Sequence, residues 1–138
     1  MIPSKPITIL LADDHAIVRQ GLSALLSTDR NFKIAGEART GREAVDLAQA
    51  LRPDVILMDI AMPVLNGLEA TRQILAANPA AKVVILSALS DDSYIECMST
   101  AGVAGFLEKL TSAEILTKAI REVPRAAPFT ARPLPGAW

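Results

Sequence analysis

Strand-length apolar runs recur along the chain and divide it into regular units. Three of them, Ile7–Ala12, 55–58 and 83–88, are rich in β-branched side chains and show no polar alternation. Such runs are typical of central parallel strands that are covered on both faces. Two weaker runs, Phe32–Ala38 and 103–108, alternate only in part or contain glycine, which predicts strands at the edges of the sheet.

Segments with helical spacing lie between these strands. The stretches "AIVRQGLSALL" and "SAEILTKAIREV" each place apolar side chains along one stripe, and Thr111 or Ser112 is predicted to cap the second. The sequence therefore predicts an α/β fold, a single doubly wound parallel sheet of five strands with five helices on both faces. The two stripes consist of Ile17, Val18, Leu22, Leu25 and Leu26, and of Ile115, Leu116, Ala119, Ile120 and Val123.

The chain is predicted to contain one domain and a tail. About half of its 138 residues are apolar, which is enough for one core over residues 5–123. Residues 124–138 hold four prolines and no helical stripe, so they are predicted to form a linker or tail.

Charge and cysteine content exclude several classes of function. The 14 Lys and Arg are offset by 15 Asp and Glu, so the chain has no basic surface excess for nucleic acid or an anionic membrane. A single cysteine, Cys97, excludes an intrachain disulfide and a cysteine-rich metal site. The first apolar run is short and stops at two aspartates, unlike a signal peptide or membrane span. We expect a cytoplasmic protein that does not contact a membrane.

Polar side chains follow four of the predicted strands. Asp13 and Asp14 follow the first, Asp59 the third, Ser87 closes the fourth, and Lys109 follows the fifth. In an open parallel sheet these positions meet at the carboxyl edge, where ligands bind. Three carboxylates together repel one another unless a cation joins them, and an all-oxygen cluster suits Mg2+.

The same cluster has the groups that phosphoryl transfer needs. An ionised Asp59 can attack phosphorus and form an acyl phosphate. Mg2+ and Lys109 can neutralise charge on the phosphoryl oxygens, and the Ser87 hydroxyl can donate to one of them. Simpler interpretations remain open: Asp14 or His15 as a helix cap, Lys109 as a solvated lysine, and Phe106 as edge packing.

These motifs resemble a response-regulator receiver domain over roughly residues 5–123. The resemblance consists of "LLADDH", "MDIAMP" with Gly67 beyond it, Ser87 at the end of "VVILS", and Lys109 in "GFLEK". Within that family, "ADDHAIVRQGL" and "MPVLNGLEATRQI" are most similar to receivers of NarL/LuxR-type regulators, which carry a C-terminal helix-turn-helix domain.

The resemblance implies a flavodoxin-like topology with strand order 2-1-3-4-5. It implies that Asp59 accepts a phosphoryl group from a sensor histidine kinase, and that Ser87 and Phe106 change position on activation. Such a domain is no enzyme beyond its own phosphorylation and dephosphorylation. A phosphorylation-dependent homodimer is implied, with DNA contacted only through a C-terminal domain absent from this chain. The implied Mg2+ ligands are Asp13, Asp14, Asp59 and the backbone carbonyl of Ala61.

Several positions depart from the family pattern. Phe106 replaces a common tyrosine and has no hydroxyl, and Leu110 replaces a proline, which leaves the isomer of the Lys109–Leu110 bond open. Ala61 and Leu89 offer no polar side chain to orient water, so slow dephosphorylation is expected. The dimer interface is also open, between the first and last helices on one side and residues 92–123 on the other.

Three other functions compete with this interpretation. A haloacid-dehalogenase-like phosphatase usually has a second acid two residues after its nucleophile, where this chain has Ala61. A flavodoxin-like FMN carrier has a phosphate-binding first loop, where Asp13 and Asp14 would repel an anion. A degenerate receiver that acts only in protein interaction would not need the intact set of site residues.

Overall fold

The computed structural model describes residues 5–87, 102–108 and 112–125. These residues contain five parallel strands and four α-helices, and a short 3-10 turn, Val123–Arg125, follows the last helix. The strands are β1 (Ile7–Ala12), β2 (Phe32–Ala38), β3 (Val55–Asp59), β4 (Val83–Ser87) and β5 (Gly105–Glu108), and the helices are α1 (Ala16–Ser27), α2 (Gly41–Leu51), α3 (Gly67–Ala77) and α4 (Ala113–Glu122).

The sheet has the order β2-β1-β3-β4-β5, so the predicted topology and the two predicted edge strands are confirmed. The strand predicted from residue 103 begins instead at Gly105, because the chain is still leaving the left-handed turn at Gly102 (φ +86°). The helix predicted between β4 and β5, Cys97, and residues 126–138 of the tail predicted over 124–138 lie outside the described residues. Within the described part of the chain, no helix is both long and apolar enough to cross a membrane.

Burial explains why the apolar runs become the central strands. Every residue of β3 and β4 is buried, as the unbroken apolar pattern predicts for strands covered on both faces. The stripe on α4 is also confirmed, with Leu116 and Ile120 in the core, and Ser112 caps this helix by accepting a hydrogen bond from Ile115 N–H. On α1 the stripe was wrong at one position, because Ile17 is 84% exposed.

The register of the sheet brings two predicted site residues opposite each other. Ala12 of β1 pairs with Met58 of β3, so the next residues along, Asp13 and Asp59, continue from neighbouring strands. Asp59 itself pairs with Leu86, which places Ser87 one residue further along β4. Because β1 has β2 on one side and β3 on the other, this edge is the topological switch point of the sheet.

A surface contact joins α4 to the turn between α1 and β2. The Arg121 guanidinium pairs with the Asp29 carboxylate and lies 5.4 Å from the centre of the Phe32 ring. The backbone N–H of Asn31 donates to Asp29 Oδ1 at 2.8 Å, and this bond, together with Arg121, holds the pKa of Asp29 below its usual value.

Arg121→Met should therefore lower the melting temperature at pH 7, since it removes both the ion pair and a cation–π contact that is typically about 0.5–1 kcal/mol at exposed sites. A carboxyl whose pKa is lowered by folding stabilises the fold fully above its unfolded pKa, about 4, and loses that contribution as the pH falls through the folded value. The difference in melting temperature between the wild type and Arg121→Met should become smaller below about pH 4, measured by thermal unfolding from pH 3 to 7. A gap independent of pH would contradict the role given to Asp29.

Candidate functional site

An acidic cluster lies at the carboxyl ends of β1 and β3. Ligand atoms of Asp13, Asp14, His15 and Asp59 all lie within 4.8 Å of one another. The Asp13 and Asp59 side chains come from inside the fold and are only 2% and 3% exposed, whereas Asp14 lies at the surface. Two buried carboxylates that close to a third favour a bound cation, since like charges in a low dielectric are costly.

The end of β1 holds Asp13 through both its main chain and its side chain. Its N–H donates to Ala38 O at 3.0 Å, which continues the β1–β2 ladder past the strand end. Its Oδ1 accepts the His15 N–H at 2.8 Å, so the chain turns directly into α1. The His15 ring, 61% exposed, places Nδ1 3.1 Å from Asp13 Oδ1 and 3.2 Å from Asp14 Oδ1. His15 occupies the N-cap position of α1 but makes no side-chain cap hydrogen bond.

Asp59 is the last residue of β3, and its carboxylate is tied to the loop that follows. Oδ1 accepts the Ala61 N–H at 3.4 Å. Gly67 N–H then donates to Ile60 O at 2.8 Å, so the loop closes on the same strand end. The loop between β3 and α3 therefore begins and ends beside the last residue of β3.

Two close approaches explain the glycines on either side of this loop. A Cβ on Gly67 would lie 2.0 Å from the Asp59 carbonyl oxygen, and one on Gly41 would lie 1.9 Å from the Leu65 carbonyl oxygen. No side chain larger than hydrogen fits at either position without moving the backbone. The starts of α2 and α3 thus hold the loop against the end of β3.

The same loop contains a strained turn. Leu65 N–H donates to Pro63 O at 2.7 Å across Val64, whose φ is +69°. A three-residue turn of this hand is rare, and a β-branched residue in the left-handed region is a conformational outlier. Val64 is also 79% exposed, so packing does not compensate the strain. Strain of this kind is concentrated at functional loops.

Of the remaining predicted site residues, some are buried in the described structure and others lie outside it. Ser87 ends β4 and is 3% exposed, one residue beyond the partner of Asp59. Phe106 pairs with Ile85 and is 1% exposed, among the largest fully buried side chains of the described core. Lys109 and Leu110, with the isomer of the bond between them, lie outside the described residues, as does Leu89.

The donor set fits a hard divalent cation. Carboxylate and carbonyl oxygens are the ligands that Mg2+ and Ca2+ accept, whereas an imidazole nitrogen is favoured by transition metals. Asp13, Asp14 and Asp59 provide oxygen donors from two adjacent strand ends. The acidic cluster is therefore compatible with a divalent metal site.

Sequence reasoning missed Arg19, which is buried beside this cluster. Its Nη1 donates to the main-chain oxygen of Asp13 at 2.8 Å. A signal was present in the sequence, because Arg19 precedes Leu22 and Leu26 by three and seven residues and therefore shares their helical stripe.

Known proteins resemble the chain along most of its length. Residues 9–121 match the family described as the response regulator receiver domain. The response regulator GacA of Pseudomonas aeruginosa is 38% identical over 117 residues, covering 85% of this chain and 55% of GacA. The transcriptional regulatory protein DegU of Brevibacillus brevis is 37% identical over 123 residues, covering 89% of this chain and 52% of DegU. The chain thus spans about half the length of these relatives.

Solved structures agree with this match. The signal receiver domain of the response regulator NarL from Mycobacterium tuberculosis superimposes with a TM-score of 0.86 at 27% identity, covering 90% of this chain and all of that one. A DNA-binding response regulator of the LuxR family from Staphylococcus aureus gives a TM-score of 0.81 at 27% identity, covering 86% of this chain and 98% of that one. The acidic strand ends, the 2-1-3-4-5 sheet and these matches together establish that the chain belongs to the receiver domains of two-component response regulators.

Proposed function

We propose that this receiver domain takes a phosphoryl group from a phosphohistidine of a sensor histidine kinase onto Asp59. A carboxylate oxygen of Asp59 attacks phosphorus, an O–P bond forms, the P–N bond breaks, and the electron pair stays on the departing imidazole. The observation that carries the proposal is the buried Asp59 carboxylate, fixed at a strand end beside Asp13 and Asp14 at the switch point. The proposed domain comprises residues 5–123, with residues 124–138 as a linker or tail.

The proposed ion is Mg2+, held by Asp13, Asp14, Asp59 and the backbone carbonyl of Ala61. When bound, Mg2+ supplies positive charge to the phosphoryl oxygens. The chain contributes two buried carboxylates, Asp13 and Asp59, at adjacent strand ends, and such an ion would offset their mutual repulsion. His15 is not among the proposed ligands, since Mg2+ prefers oxygen.

Three further residues have proposed roles around the phosphoryl group. The hydroxyl of Ser87 donates to one of its oxygens, and the ammonium of Lys109 pairs with it. Ser87 and Phe106 are both buried in the described structure, and they change position when the group is bound. This movement changes the packing of the surface around β5. Hydrolysis is slow, because Ala61 has no polar side chain to orient water. Catalysis by the domain is limited to its own phosphorylation and dephosphorylation.

The output of this switch is proposed to be homodimerisation. Two copies would bring tethered DNA-binding domains to paired half-sites in a longer regulator that controls transcription. The support is the match to transcriptional regulators such as DegU, of which the chain spans about half. DNA would be contacted only through a domain outside this chain.

Incubation with acetyl phosphate and magnesium should add one phosphoryl group to the wild type by intact-mass spectrometry. Asp59→Asn should gain none, because an amide cannot act as the nucleophile, and chelation of the ion should abolish the gain. Asp54→Asn is a matched control immediately before β3, at the opposite end of the strand from Asp59, and should be phosphorylated like the wild type. An equal gain in Asp59→Asn would refute the assignment of the phosphoacceptor.

Sedimentation velocity on the same samples, with beryllofluoride as the phosphoryl mimic, tests the dimer. A wild type that associates only with the mimic, and an Asp59→Asn variant that never does, are expected. A wild type that stays monomeric with the mimic at high micromolar concentration would contradict the proposed dimer and leave the phosphoacceptor assignment standing.

A further inference from the structure

Arg19 is a buried cation beside an acidic site. It lies on the first turns of α1 with a relative exposure of 8%. A buried guanidinium is costly unless hydrogen bonds and opposite charge compensate it. Its two described contacts show where that compensation comes from.

The first contact is to the main chain of a proposed metal ligand. Nη1 donates to the carbonyl oxygen of Asp13 at 2.8 Å, a buried hydrogen bond with good geometry. Since Ala38 O accepts the Asp13 N–H at 3.0 Å, both main-chain polar groups of Asp13 are fixed. Arg19 thus completes the restraint of the residue at which β1 ends.

The second contact is an ion pair that faces water. Nε lies 3.3 Å from Glu37 Oε1, and the Glu37 side chain is 43% exposed. The pair borders an open polar cavity of about 490 Å3, lined by Arg19, Gln20, Glu37, Arg39 and Glu43. Solvent screening makes such a pair weak, so it does not by itself account for a buried arginine.

We propose that Arg19 is a positioning residue for the metal site, which it serves by holding the Asp13 carbonyl through the Nη1 hydrogen bond. The inference rests on the proposed function, since it concerns the ion that Asp13 would bind. Groups that hydrogen-bond to metal ligands without contacting the ion typically lower the metal affinity by about 10–100-fold when they are removed.

Charge and position make opposite predictions for Arg19→Met. The quantity compared is the Mg2+ midpoint, the Mg2+ concentration at which half of the sites are occupied. Loss of a nearby positive charge leaves the site more negative, so a purely electrostatic role predicts a lower Mg2+ midpoint. Loss of the hydrogen bond frees the Asp13 main chain, so a positioning role predicts a higher midpoint. A role confined to holding α1 on β2 predicts a lower melting temperature with an unchanged midpoint.

The test is the midpoint of a Mg2+ titration at constant temperature, followed by calorimetry, for the wild type, Arg19→Met and Arg19→Lys. We expect a midpoint raised about tenfold in Arg19→Met. Arg19→Lys keeps the charge, but its Nζ ends one bond short of Nη1, so its midpoint should also rise. Arg72→Met, which removes a half-exposed arginine paired with Glu69 on α3, should match the wild type.

The outcomes separate the inference from the function on which it rests. An unchanged or lowered midpoint in Arg19→Met, in a wild type that responds to Mg2+, overturns the positioning role alone. If Arg19→Met does not fold, an unchanged midpoint in Arg19→Lys overturns it instead. A wild type that does not respond to Mg2+ overturns the proposed metal site, and the inference with it.

Discussion

Gly67→Ala should lower the free energy of unfolding by about 3 kcal/mol, the upper part of the range for overpacked sites. The added Cβ would lie 2.0 Å from the Asp59 carbonyl oxygen and 2.9 Å from Ile60 Cα. Both are backbone atoms at the end of β3, so no rotation of a side chain can relieve the contact. Either α3 or the strand end must move, and the Gly67 N–H bond to Ile60 O at 2.8 Å is lost or stretched.

Gly21→Ala is the matched control and should have the opposite sign. Gly21 is an exposed residue within α1, and apart from its chain neighbours and the backbone of α1 itself, an added Cβ would meet no described atom within 4 Å. Alanine in a helix interior is more stable than glycine by roughly 0.5–1 kcal/mol. Urea unfolding of the three proteins measures both effects, and a Gly67→Ala variant as stable as Gly21→Ala would show that the close approach is absent in solution.

The fold could be predicted because its central strands are covered on both faces. An apolar run that must be buried on two sides leaves little freedom in its position. The predicted and observed bounds of the central strand β1 coincide, and those of β3 and β4 differ by one residue at one end. Edge strands and helix faces depend more on neighbours. β5 begins two residues later than predicted, and Ile17, in the first turn of α1, is exposed to solvent.

The acidic cluster could be predicted for a similar reason. Once the strands are parallel, topology alone brings the residues after β1 and β3 to the same edge, whatever their side chains do. The roles of Arg19 and Gly67 could not be predicted in this way, because each depends on a contact between elements. The sequence does not show that the Asp13 carbonyl accepts a hydrogen bond from Arg19, or that the Asp59 carbonyl leaves no room for a Cβ at Gly67.

Magnesium should stabilise the wild type by about 2.7 kcal/mol at one hundred times its dissociation constant, since only the folded state assembles the ligands. For a domain of this size that corresponds to a rise in melting temperature of roughly 5–10 °C, the range that about 2–4 °C per kcal/mol implies. The physical source is the cluster itself, in which carboxylates of Asp13, Asp14 and Asp59 lie within 4.8 Å of one another. An ion among them replaces repulsion by attraction.

Asp14→Ala should lose most of this response, because it removes one of the three carboxylates while leaving the two buried ones in place. Asp46→Ala is the matched control: it removes an exposed acid on α2 whose carboxylate pairs with Arg42 at 3.1 Å, and it should respond to magnesium like the wild type. Differential scanning fluorimetry at constant ionic strength measures all three proteins, with chelator as the reference state. If Asp14→Ala and Asp46→Ala respond alike, the ion binds elsewhere and Asp14 is a surface acid. A response confined to the proteins that retain Asp14 would place the ion where β1 ends, beside the proposed phosphoacceptor.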